Sequence, residues 1–208
     1  IDRRGLLIID AVRFLAERQQ LDGPWEEDPA EADNAPVWAK PGDDAAGLYV
    51  TANCGFWVGV TGLVPAAAHD AALYLSFHLG EDGALPSFPH AHWLATALWQ
   101  QQGMGDEASK GLAYLRRRVP DLSAGNLAWL VIALRLGGVA ADEDAVVTVA
   151  RIGVERDVGD QADIELRLAD RAGGLIDQVV GIDGTAAVFG AVFRIGEGEQ
   201  REAWNAEF

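Results

Sequence analysis

Carboxylates are the side chains with the widest chemical scope in this 208-residue chain. One group runs through Glu26, Glu27, Asp28, Glu31, Asp33, Asp43 and Asp44, and a second is Asp142-Glu143-Asp144. A carboxyl at the mouth of an apolar cavity has its pKa raised and can act as a general acid. Asp43, Asp44, Asp142 and Asp144 are therefore the candidate proton donors. Grouped carboxylates can also hold Mg²⁺ together with a diphosphate, the one cofactor expected if the substrate carries that group. The same acids equally suit a solvated loop.

Aromatic residues are the second chemical resource. Trp57, Trp93 and Trp129 recur at intervals of 36, with Phe56 beside the first and His92 beside the second. Aromatic faces can stabilise a carbocation through the ring quadrupole, and the same rings can serve as core filler. His90 and His92 stand two apart, a spacing that shares a ligand from an extended segment but not from one helical face. No third ligand lies nearby, so no metal site is assigned. The chain contains neither a GxxxxGK[ST] phosphate loop nor a GxSxG nucleophile elbow.

These residues need elements to position them, and the periodicity is helical. In Ala11 to Trp25, Ala11, Phe14, Leu15 and Arg18 recur at three- and four-residue spacing, which puts the apolar members on one helical face. Asp22-Gly23 then turns the chain, and Pro24 prevents the helix from resuming. Trp25 is expected to pack against the end of the next helix. The pattern returns 60 residues later, with Ala71, Tyr74, Leu75, Asp82 and Gly83 in register.

The spacing predicts a first helix from Arg3 or Arg4 to Gln20 and a long loop over 26–48. A helix buried on all sides follows over Thr51 to Leu63, with a strand as the alternative. Further helices are expected over 66–79, 90–102, 107–118 with Asp106 as its cap, and 126–136. Ser123 should be the N-cap of the last, and Gly137-Gly138 its end. Amphipathic and more apolar helices alternate, the mark of an array of helical hairpins. Beyond Ala141 the pattern weakens, with helices suggested over 142–152, 164–169 and 185–193.

Composition narrows the partners. A net charge of −16 repels phosphate backbones and anionic lipid, so nucleic acid is not an expected partner. No apolar run reaches the ~18–20 residues of a membrane span. One cysteine, Cys54, rules out an internal disulfide and a thiolate zinc cage. With no signal-like segment visible, a cytoplasmic location is the expectation.

The run Phe14-Leu15 … Gln19-Gln20-Leu21-Asp22-Gly23-Pro24-Trp25 resembles the QW-type repeat of squalene-hopene cyclases. Those enzymes belong to the α/α-toroid superfamily of terpene cyclases and protein prenyltransferases. The second copy keeps Asp82-Gly83, with Leu85 in place of the tryptophan and His78 in place of the glutamine. The third keeps only the helical pattern, so the resemblance covers residues 8–138.

It implies one all-α domain over 1–208, built of antiparallel hairpins in a complete or partial toroid. It also implies a hydrophobic, isoprenoid-like ligand, with Trp57, Trp93, Trp129, Phe56 and His92 lining its cavity. The reaction implied is cyclisation or isomerisation started by protonation. Asp142-Glu143-Asp144-Ala145 departs from the Asp-x-Asp-Asp acid of the class II enzymes, and Cys54 follows Asn53 where the zinc-dependent prenyltransferases have Asp-x-Cys. A non-catalytic repeat module that binds a lipid, a peptide or a partner subunit is the rival expectation. The array is too short for six hairpins, so the toroid is expected to be incomplete, the chain a fragment of a longer one, or a second copy to close it as a homo-oligomer.

Overall fold

A computed structural model describes residues 3–33 and 35–139. Asp142, Asp144 and the helices expected over 142–152, 164–169 and 185–193 lie outside the described residues. Within them the chain is all-helical, with no strand. Its α-helices are α1 (Arg3–Arg18), α2 (Asp44–Thr61), α3 (Pro65–Phe77), α4 (Pro89–Gln101), α5 (Gly105–Arg118) and α6 (Ala124–Leu136). Thr51 to Leu63 is thus helical and not a strand.

The helices form two layers. α2, α4 and α6 pack side by side as an inner row. α3 and α5 lie over them, and α1 touches the edge of α2. The tightest antiparallel pairs are α2–α3 and α4–α5, joined by the short connections 62–64 and 102–104. α4 is the centre of the core: every residue from 91 to 99 is buried. Close approach there depends on small side chains. A Cβ at Gly55 of α2 would lie 2.8 Å from the Ala71 Cβ of α3 and 2.9 Å from Leu98 of α4.

Helix ends follow local chemistry where a capping side chain is present. Asp43 caps α2 by accepting from the Ala46 N–H at 2.9 Å, and Ser123 caps α6 through the Asn126 N–H. Asp106 does not cap α5. The helix starts one residue earlier, at Gly105, and Asp106 lies in its first turn, where its charge suits the positive end of the helix dipole. The expected loop over 26–48 is also shorter: α2 begins at Asp44, and short 3-10 helices occupy Pro29–Glu31 and Val37–Ala39.

The buried stripe of α1 differs from the sequence expectation. Val12 is buried and Ile8 and Leu15 pack on the core, whereas Ala11 is exposed and Phe14 lies 53% exposed under the Arg18 guanidinium. The turn after α1 is held as a clasp. Gln19 Nε2 donates to the carbonyls of Gly23 at 2.7 Å and Ala67 at 2.8 Å, tying the turn to α3. Trp25 packs against the middle of α2, not its end, because α2 starts earlier than expected. Its backbone N–H donates to Thr51 Oγ1, and its indole N–H to the Leu15 carbonyl at 2.8 Å. That carbonyl belongs to the last turn of α1.

Candidate functional site

Chemistry-bearing side chains converge where α2 and α4 begin. The two helices run parallel, and Ser87 Oγ donates to the Ala45 carbonyl at 2.6 Å, which holds their first turns level. Tyr49, in the second turn of α2, is the hub. Trp38 meets it edge-on at 5.8 Å from the 3-10 helix Val37–Ala39, Phe88 at 6.1 Å from just before α4, and His90 at 6.5 Å from the first turn of α4. His90 in turn lies 4.5 Å from the Trp93 ring. Trp93 is 2% exposed and Trp38 37%, so the cluster grades from core to surface.

Burial sets the charge state of this cluster. It pushes the Tyr49 phenol up to about 12, with Cys54 adding to the rise, and the Cys54 thiol to about 12, with Glu27 adding. It pulls the His90 imidazole down to about 4. Near neutral pH the phenol and thiol keep their protons and the imidazole carries no charge. Cys54 is therefore no thiolate nucleophile. The surface is an uncharged aromatic one with a hydroxyl and an imidazole set into it, suited to apolar or flat ligands.

The acids stand apart from that surface in role. Asp43 and Asp44 are both exposed, and the Asp43 carboxylate is occupied as the cap of α2. Glu26 accepts from the Gly42 N–H at 2.7 Å and from Gln20 Nε2, and Asp28 accepts from the Ala30 N–H. These carboxylates answer backbone donors one by one. Among the described residues no group of three or more His, Cys, Asp or Glu is arranged to hold a metal ion.

The tryptophans do lie on the three inner helices, but the interval of 36 does not put them at one height. Trp93 and Trp129 occupy the second turns of α4 and α6, whereas Trp57 lies near the C-terminal end of α2. α2 is 18 residues long against 13 for α4 and α6 and starts further back, so equal sequence spacing becomes unequal depth. Trp57 and Trp129 are half-buried and Trp93 is buried. Phe56 packs beside Trp57 at 5.0 Å and is 1% exposed, a core position. His92 turns to the opposite side of α4 from the cluster hub and lies flat on Tyr114 of α5.

Sequence reasoning passed over Tyr49 and Phe88. The signal for Tyr49 was its place four residues before Asn53 and eight before Trp57, on the same side of α2. Comparison of the chain with protein-family models, with curated proteins and with solved structures gives no match.

Proposed function

We propose that this chain is a helical-hairpin array of the α/α-toroid type that binds an apolar, isoprenoid-like molecule where α2 and α4 begin. The observation that carries the reading is the uncharged cluster of Trp38, Tyr49, Phe88, His90 and Trp93, open to solvent on its Trp38 side. The likeness of Phe14–Trp25 to cyclase repeats supports the ligand class. Binding is better supported than catalysis, because Asp43 and Asp44 are exposed and Asp43 is engaged as a cap. If the chain is catalytic, protonation would fall to these residues or to Asp142 and Asp144.

Titration with a C15 prenyl alcohol, followed by tryptophan fluorescence, tests the reading. Saturable binding weakened at least tenfold by Tyr49→Ala and Trp38→Ala is the expected result. Binding that neither substitution alters would remove the site. Incubating a polyprenyl diphosphate with the protein, with and without Mg²⁺, tests chemistry separately.

A second reading, a module that docks a partner subunit, is favoured by exposed apolar side chains on the outer helices. Leu7 and Phe14 of α1 and Leu73 and Phe77 of α3 are all at least 40% exposed. Mass measurement in solution distinguishes it, since a self-docking array would be dimeric at micromolar concentration.

A further inference from the structure

His92 is a buried histidine that the binding site does not use. It is 5% exposed, and its ring lies parallel to that of Tyr114 of α5, with centroids 4.5 Å apart and 13° between planes. Nδ1 faces the carbonyls of Phe88 at 3.1 Å and Pro89 at 3.3 Å. Carbonyls only accept, so this pair assigns the ring proton to Nδ1. Nε2 is then a bare lone pair, and it has no hydrogen-bond partner among the described residues.

Such a ring is poised against protonation. A second proton would sit on Nε2 inside the core, near the positive end of the α4 dipole, a cost that burial makes larger than the relief the neighbouring carbonyls offer. The tyrosine face attracts a cation weakly, which offsets only part of that penalty. The charged and titratable groups that act on His92 are Tyr114 and Arg118 of α5, with His90 two residues away on its own helix. No carboxylate of α2 or α3 counters them, and α6 has none. Burial lowers the basicity of His92 more than the carbonyls of Phe88, Pro89 and Leu85 raise it, and Arg118 lowers it further.

The position gives the ring mechanical leverage. Tyr114 is also the residue on which the turn at Gly83 rests, with its Cβ 3.2 Å from where a Gly83 Cβ would stand. One stacked pair therefore joins the first turn of α4, the middle of α5 and the turn between α3 and α4.

We infer that the His92–Tyr114 stack is an acid-sensitive latch: neutral, it holds α4 on α5, and protonation of Nε2 releases the first turn of α4. The sign follows from linkage. The open state binds one more proton than the closed state, so closure is complete above the ordinary histidine range and is lost as pH falls below about 6.5.

Hydrogen exchange of the amides of residues 91–95, corrected for the intrinsic pH dependence of exchange, tests the latch. In the unsubstituted chain the opening constant should rise steeply as pH falls from 6 to 5, His92 contributing up to about tenfold per pH unit. In His92→Phe, which keeps an aromatic ring on Tyr114, that contribution should be missing, and only the rise due to His90, which stands in the same turn and is also held neutral by burial, should remain. A second measurement needs no variant: the His92 ring followed by NMR should take up its proton only below the ordinary histidine range while the chain is folded. A His92 ring that charges near pH 6.5 without opening, or equal slopes in the two proteins, would overturn the proposal.

Discussion

The two turns that follow α1 and α3 are built alike and anchored differently. In both, a glycine with positive φ presses its backbone onto the next outer helix: Gly23 (φ 103°) on the Asp70 carbonyl and Tyr74, and Gly83 (φ 82°) on the Lys110 carbonyl and Tyr114. The turn hydrogen bonds also correspond, Gly23 N–H to the Gln20 carbonyl and Gly83 N–H to the Gly80 carbonyl. What surrounds the glycine has diverged. The first turn uses Gln19 and Trp25, while the second has Leu79 and Leu85 at those places; Leu79, not His78, is the counterpart of the glutamine that makes the ties. Tyr74 is partnered by His78 of its own helix at 4.8 Å, while Tyr114 is partnered by His92 of the neighbouring helix. The glycine contact is what the repeat requires, and the rest is a local choice between polar ties and apolar filling.

The largest expected effect tests that shared requirement. Gly23→Ala would bring a Cβ within 2.5 Å of the Asp70 carbonyl oxygen, and Gly83→Ala would collide with the Lys110 carbonyl. Overlap with rigid backbone adds to the strain of positive φ, so each should destabilise by about 3 kcal/mol or more in urea unfolding. A markedly milder effect at one glycine would show that the two turns are not equivalent.

Converting the first turn toward the second comes next. Trp25→Leu removes most of a buried indole and leaves the Leu15 carbonyl without its donor, at an expected loss of about 2–4 kcal/mol. Gln19→Leu, the residue type of the second turn, breaks two hydrogen bonds and should cost about 1–2 kcal/mol. If the pair together cost much less than the sum, Leu at both places packs as a unit, as it does at Leu79 and Leu85.

The smallest effect separates structure from chemistry at the start of α2. Asp43→Ala should lose about 1 kcal/mol through the missing cap, and Asp43→Asn close to nothing, since asparagine caps equally well. An Asp43→Asn protein that keeps its melting temperature but loses turnover of a polyprenyl substrate would make Asp43 an acid. Unchanged turnover would leave it a cap alone.

The helices were legible because their apolar spacing and end signals agree, as at Ser123 and the Gly137-Gly138 stop. The start of α2 was not. Pro41, Gly42 and the neighbouring acids read as loop, although Asp43 as N-cap and Asp44 in the first turn are themselves a helix beginning. The 60-residue interval between the first two turns has a related reason. Gly83 follows Gly23 by 60 residues, but Tyr114 follows Tyr74 by 40, so the unit is nearer 40 and the first interval carries an insertion. The aromatic cluster was hidden because it joins three segments, around Trp38, Tyr49 and Phe88, through contacts that no single periodicity encodes.

That insertion is tied at its base. Glu26 accepts from the Gly42 N–H across 16 residues, and Gln20 steadies the same carboxylate. The helices on either side therefore keep their register without reference to what the intervening chain does. Loop-closure entropy grows only slowly with length, about 0.6 kcal/mol per doubling. A change in the length of the chain between that tie and the Val37–Ala39 turn is therefore expected to cost the array little, while an exchange of the turn itself would alter the rim that Trp38 supplies.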